Sequence, residues 1–177
     1  MIYPRWIFFP RSDSPPAWVS PIVSVFAGLQ SKLDTVHQHN KSDAALSLLR
    51  PQLETAGYHV EGGAHEKTIY RPVHFGEQGK ADREYQIDAY HPELRVGLEV
   101  EAGRSIRGNA IYRDIIQASL MVDLDYLALA IPLRYRFNGK GKPFEDKPYE
   151  HGLTVFDAIY ASERFRLPLK GVLFIGY

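Results

Sequence analysis

Three acids stand close together in the chain. Asp88 lies in Tyr85-Gln-Ile-Asp-Ala-Tyr90, and Glu99 and Glu101 lie in Arg95-Val-Gly-Leu-Glu-Val-Glu101. Carboxylates supply hard oxygen donors of the kind that suit magnesium, manganese or calcium. A divalent ion held by them would polarise a phosphoryl oxygen and lower the pKa of a bound water, giving a nucleophile near neutral pH. The spacing matters as much as the residue types. Glu99 and Glu101 flank Val100, so on a strand both acids share one face while the valine turns to the core. Negative charge stacked on one face of a hairpin is destabilising unless something cationic sits there.

The elements that must position these acids follow from the apolar pattern. Val96, Leu98 and Val100 make one apolar face, and Ile87 and Ala89 make that of the partner strand. A four-residue turn over Pro92 to Arg95 then sets Asp88 against Glu99. Upstream, residues 1–20 are rich in proline and aromatics and are expected to pack as an irregular arm. Helical spacing covers 21–33, and a second helix runs from a Ser42-Asp43 cap to Ala56, kinked or split by Pro51. Residues 58–61 and 67–75 are strand-like. Downstream, a helix spans 109–122 with Asn109 as its cap. Tyr126–Ile131 and 170–176 form strands buried on both faces. Residues 134–148 are expected as a basic loop, and the capping box Thr154-Val-Phe-Asp157 opens a helix to about Arg164. That order predicts an α/β sandwich around a mixed sheet, with an arm and helix over 1–41 packed on a core over 42–177.

Composition narrows the function. At 177 residues the chain fits one domain. The formal net charge of zero argues against coating nucleic acid by bulk charge and leaves room for local patches. With no cysteine, disulfides, zinc–thiolate sites and cysteine nucleophiles are excluded. No apolar run reaches membrane-spanning length, and the apolar start is broken by prolines without a small-residue cleavage site. The expectation is a cytoplasmic protein with no membrane partner. Other motifs fail. Gly139-Lys-Gly-Lys-Pro lacks the spacing and the Ser/Thr of a phosphate-binding loop, and His65-Glu66 lacks the second histidine of a zinc protease.

The run Ile87-Asp88, then Leu98-Glu99-Val100-Glu101, then a helix, then a buried strand, resembles the restriction endonuclease-like nuclease superfamily. The resemblance covers about Ser42 to Ile131. It implies an αβββαβ sandwich and a metal-dependent endonuclease acting on DNA, with Mg²⁺ or Mn²⁺ held by Asp88 and Glu99. It also implies a homodimer as the form that cuts two strands, although no interface is legible. The chain departs at the third signature position, where Glu101 replaces the usual lysine. A third acid can bind a second metal or act as general base, or can mark a lineage that lost cleavage. The alternative is therefore an inactive DNA-binding or protein-interaction module of the same fold. By the same resemblance, Glu54 late in the first long helix and Gln117 on the helix after the hairpin match places where family members add supporting residues. Glu66 approaches from a strand edge, and Arg104 either reaches the scissile phosphate or neutralises the acids. The basic residues Arg104, Arg107, Arg113, Arg134, Arg136 and Lys140, interleaved with Tyr135 and Phe137, form the candidate nucleic-acid contacts.

Overall fold

The chain runs through β1 (Arg5–Phe9), α1 (Val19–Gly28), α2 (Gln30–Leu33), α3 (Ser42–Thr55), β2 (His59–Val60), β3 (Ile69–Phe75), β4 (Ala81–Ile87) and β5 (Ala89–His91). It continues through β6 (Val96–Val100), α4 (Ala110–Leu120), β7 (Tyr126–Ile131), β8 (Tyr135–Gly139), β9 (Lys142–Asp146), α5 (Pro148–Ala161) and β10 (Gly171–Gly176). The computed structural model describes residues 2–38, 40–62, 68–102, 109–139 and 142–177.

Six strands make the central mixed sheet, in the order β1-β10-β7-β6-β5-β2. The two continuous apolar runs, β7 and β10, pair in parallel at its middle, as strands covered on both faces do. β6 joins β7 in parallel, and β5 and β6 form the antiparallel hairpin. Helices cover both faces. On one side Leu46 and Leu49 of α3 and Ile22 and Phe26 of α1 pack with Val96, Leu98, Val100 and Ala128. On the other, Ile111 and Ile115 of α4 and Phe156 of α5 pack with Leu127, Leu129 and Phe174. Leu98 and Val100 are both buried, and burial of each stabilises the fold by roughly 1.5–3 kcal/mol. A one-residue slip of β6 would exchange them for Glu99, so the apolar layer itself sets the register that aims the acids.

Several expectations are corrected. The arm over residues 1–20 contributes β1, which pairs antiparallel with β10 as the sheet's edge strand. Its apolar residues Phe8 and Phe9 are buried in opposite layers, which the prolines on either side concealed. The basic loop over 134–148 contains a separate two-stranded hairpin, β8–β9, and α5 begins at Pro148 rather than at the Thr154 capping box. Proline is favoured in a helix's first turn, and that signal outranks the box here. α3 is continuous across Pro51. The Ser42 cap is replaced by Lys41, which makes no side-chain capping bond. Among the described residues, no helix is long and apolar enough to cross a membrane.

Candidate functional site

The hairpin register is the one its apolar faces imply. Ala89 pairs with Leu98 and His91 with Val96, which leaves four residues, 92–95, for the turn. One further step along the ladder sets Asp88 beside Glu99. At that step the backbone bends. β4 leaves the central sheet to pair with β3, and Asp88 sits at the break between β4 and β5. The expectation that Ile87 and Ala89 share a face fails for this reason. Ile87 joins the α4 layer and Ala89 the α3 layer. Gly97 makes the bend sterically feasible, because a Cβ there would lie 2.3 Å from Ile87 Cδ1.

Backbone groups fix Asp88 tightly. Its carbonyl accepts the N–H of Glu61 at 2.8 Å, and its Oδ2 accepts the N–H of Val100 at 2.8 Å. Glu101 prolongs β6 by one ladder bond, donating its N–H to the Ala130 carbonyl at 2.9 Å. Its own carbonyl accepts the Tyr177 hydroxyl at 2.7 Å. The Glu101 carboxylate accepts Arg113 Nη2 at 2.8 Å, and the same nitrogen is 2.8 Å from Asp114 Oδ1. Arg113 Nε also donates to that Oδ1. Glu99 makes no hydrogen bond through its carboxylate to any described residue.

These side chains line a cleft of about 340 Å³ between the start of α3, the hairpin and α4. Asp43, Glu61, Asp88, Glu99, Glu101 and Asp114 face it, and Arg113 is the one cation among its described lining residues. The electrostatic consequence is large. Burial pushes Asp88 up to about 7, with the charges of Glu61, Glu101 and Asp43 adding and the Val100 N–H opposing. Glu99 is driven well above the usual carboxylate range, first by burial and then by Asp88, Asp114 and Glu101, with Arg113 opposing. Asp114 rises to about 7 through burial and the neighbouring Glu101, against the pull of Arg113. Burial works against the Arg113 charge, yet the hydrogen bond to Asp114 and the fields of Asp114, Glu101 and Glu99 hold it above its ordinary value.

No protein-family model, no curated protein and no solved structure matches the chain.

The carboxylates of the cleft offer oxygen donors of the kind a hard divalent cation takes, and one of their atoms is orphaned. Asp114 Oδ2 is buried without a hydrogen-bond partner. Yet among the described residues no three carboxylate or imidazole groups already converge as an ion's ligands would. Arg113 stands between Glu101 and Asp114, 2.8 Å from each.

Of the residues singled out in the sequence, Asp88, Glu99, Glu101, Arg113 and Gln117 all line this cleft. Glu54 does not. It is exposed in the last turn of α3, roughly 16 Å along the axis from Asp43, and it is the start of that helix that faces the acids. Arg134 and Arg136 pair with Glu145 at 3.1 and 3.0 Å. Arg134 also lines an adjoining groove of about 720 Å³, which shares Asp43, Glu101 and Arg113 with the cleft and adds Lys41 and Tyr135. Glu66, Arg104, Arg107 and Lys140 lie outside the described residues.

Three lining acids escaped the sequence reading: Asp43, Glu61 and Asp114. Asp114 had a legible signal. It falls inside the apolar stripe Ile111, Ile115, Ala118, where an acid must be buried with them. Asp43 and Glu61 carry no such mark, because only the packing of α3 and β2 against the hairpin brings them to the cleft.

Proposed function

We propose that this chain is a metal-dependent nuclease of the restriction endonuclease-like kind, hydrolysing phosphodiester bonds in DNA at the cleft of Asp88, Glu99 and Glu101. One observation carries the reading: part-buried carboxylates from the bend after β4 and from β6 crowd one cleft with the buried Asp114 of α4 and a single described arginine among them. The order of the elements supports it. An antiparallel hairpin bearing the acids is followed by a helix and a parallel strand, in the sequence the resemblance implies.

Asp88 and Glu99 would hold a Mg²⁺ or Mn²⁺ ion. When bound, the ion supplies Lewis-acid polarisation of a phosphoryl oxygen and lowers the pKa of a bound water. The remaining work belongs to the protein. The Val100 N–H donates to Asp88 Oδ2 and so fixes the carboxylate that would hold the ion. Arg113 and Arg134, which line the connected cleft and groove, meet the charge of the DNA backbone. Gln117 lines the same wall of α4 and offers an amide to the phosphate.

A second reading is a DNA-binding or protein-interaction module of the same fold without cleavage. The specific observation behind it is that Arg113 already bridges Glu101 and Asp114. Incubation of purified protein with plasmid DNA and Mg²⁺ or Mn²⁺ separates the two. Cutting by the wild type that drops at least about a thousandfold in Asp88→Ala and Glu99→Ala is the expected result. Equal trace cutting by all three proteins would mean contamination and defeat the nuclease reading. DNA retention without turnover or metal dependence would favour the module.

A further inference from the structure

The β8–β9 hairpin is a two-stranded sheet by itself, pairing with neither the central sheet nor β3–β4. Such a ribbon has little stability of its own, so the rings it displays need a reason. Its base is fixed. The Arg134 backbone N–H donates to the hydroxyl of the buried Thr35 at 3.2 Å, and beyond the hairpin the Tyr149 N–H donates to the Pro132 carbonyl at 3.2 Å. Tyr135 and Phe137 alternate along β8 and so share a face, and Phe144 lies directly opposite Phe137 on β9. Ring centroids are 5.6 Å apart from Tyr135 to Phe137 and 5.5 Å from Phe137 to Phe144, with planes inclined by 22° and 9°. Nearly parallel planes make the three rings one aromatic platform. A single cross-strand pair would serve the hairpin's own stability. The third ring extends the platform to the groove, which Tyr135 lines together with Arg134. On β9, Phe144 remains 47% exposed.

The charge around the rings is positive. Residues 134–147 carry five lysines and arginines against two acids, in a chain whose formal net charge is zero. Glu145 takes Arg134 and Arg136 together, and one carboxylate does not balance two guanidiniums. Flat rings edged by positive charge match a nucleic-acid strand, whose bases stack on the rings while its phosphates meet the cations. Bases inside a continuous duplex already stack on one another, so only unpaired bases offer a face to such a platform.

We propose that Tyr135, Phe137 and Phe144 stack the unpaired bases of a DNA strand whose backbone follows the groove into the cleft. The substrate is then single-stranded or locally opened DNA, and relaxed duplex is a poor one. A supercoiled plasmid still qualifies, because its torsion favours strand opening. This deepens the nuclease reading and rests on it, since groove and cleft share Asp43, Glu101 and Arg113.

Fluorescence anisotropy of labelled oligothymidylate with the full chain, in EDTA so that nothing is cut, tests the platform. The single strand binds at least about tenfold tighter than a blunt duplex of equal length. Phe144→Leu keeps an apolar side chain without a ring face, and it weakens single-strand binding about tenfold while leaving duplex binding unchanged. Phe144→Trp restores the affinity, and its added indole is quenched by the strand beyond any change in the wild-type signal of Trp6 and Trp18. Equal affinity for strand and duplex, unmoved by Phe144→Leu, overturns the platform and leaves the nuclease reading to the plasmid assay. A strand held through Phe144 but never cut with Mn²⁺ upholds the platform and defeats the nuclease reading. No binding of either form, with or without Mn²⁺, sinks both. Should Phe144→Leu loosen the hairpin, Phe144→Trp decides, and an indole left unquenched at saturating oligothymidylate refutes the stacking.

Discussion

At the start of β7, Asp125 receives Lys170 Nζ at 2.7 Å and Arg95 Nε at 3.1 Å. At the far end of β6, Asp88, Glu99, Glu101 and Asp114 line one cleft with Arg113. The two groups sit at opposite ends of neighbouring parallel strands. At Asp125 the hydrogen bond from Lys170, helped by Arg95, holds the carboxyl below its ordinary range. At the other end burial and like charge push Asp88 and Asp114 up to about 7. One end is arranged as folding alone would arrange it, with its single acid given two cations near water. The other concentrates charge where folding gains nothing from it, an asymmetry that the proposed ion would relieve.

The widest test of the contrast is ion binding. Saturating Mn²⁺ should raise the melting temperature of the wild type by roughly 5–10 °C when the ion exceeds its Kd about a hundredfold. The same addition should leave an Asp88→Asn, Glu99→Gln double variant nearly unmoved. A differential scanning experiment showing equal shifts in both proteins would place the ion elsewhere.

A smaller effect is the pH response without metal. Asp88 faces Glu61, Glu101, Asp43 and Glu99, and Asp114 faces Glu101, Glu99 and Arg113. Both carboxyls titrate near 7 in the folded chain, against 3.8 as their ordinary value. Between those two values the folded chain holds more protons than the unfolded one, so stability falls as pH rises and the full penalty is present above the folded value. The ion-free protein should therefore melt lower at about pH 8 than at about pH 5. Asp114→Asn should raise the melting point at the higher pH by at least about 2 °C and change little at the lower. A flat profile would remove the electrostatic half of the comparison.

The smallest change is expected at the paired end. Asp125→Asn should cost under about 1 kcal/mol, as exposed ion pairs do, and the loss should shrink in high salt. Its sign in pH is opposite, because a lowered carboxyl stabilises above its unfolded pKa and loses that contribution as pH falls. Urea titrations at two salt concentrations measure it. A loss of several kcal/mol would mean that Asp125 is more than a surface partner.

Much of the frame was legible from apolar periodicity. β7 and β10 announced themselves as continuous apolar runs, and the alternation of Val96, Leu98 and Val100 set both the register and the common face of Glu99 and Glu101. Asp114 was legible in principle, as the acid in α4's buried stripe. β1 was hidden by its flanking prolines, and β8–β9 by a run of charges that reads as a loop although Arg136 and Glu145 pair across the hairpin. Glu54 was misplaced because helical spacing tells which face a residue is on and not which end of the helix meets the sheet.

By itself, the order of residues determined that Glu99 and Glu101 would share one side of a strand, because alternation along a strand is a local rule. Only the tertiary structure decided that Asp43, Glu61 and Asp114 would join them and that Arg113 would stand between two of them. Those meetings depend on where β4 bends and how α3 and α4 pack on opposite faces of the sheet. Such distances are set by the filling of two cores and not by any spacing within one segment.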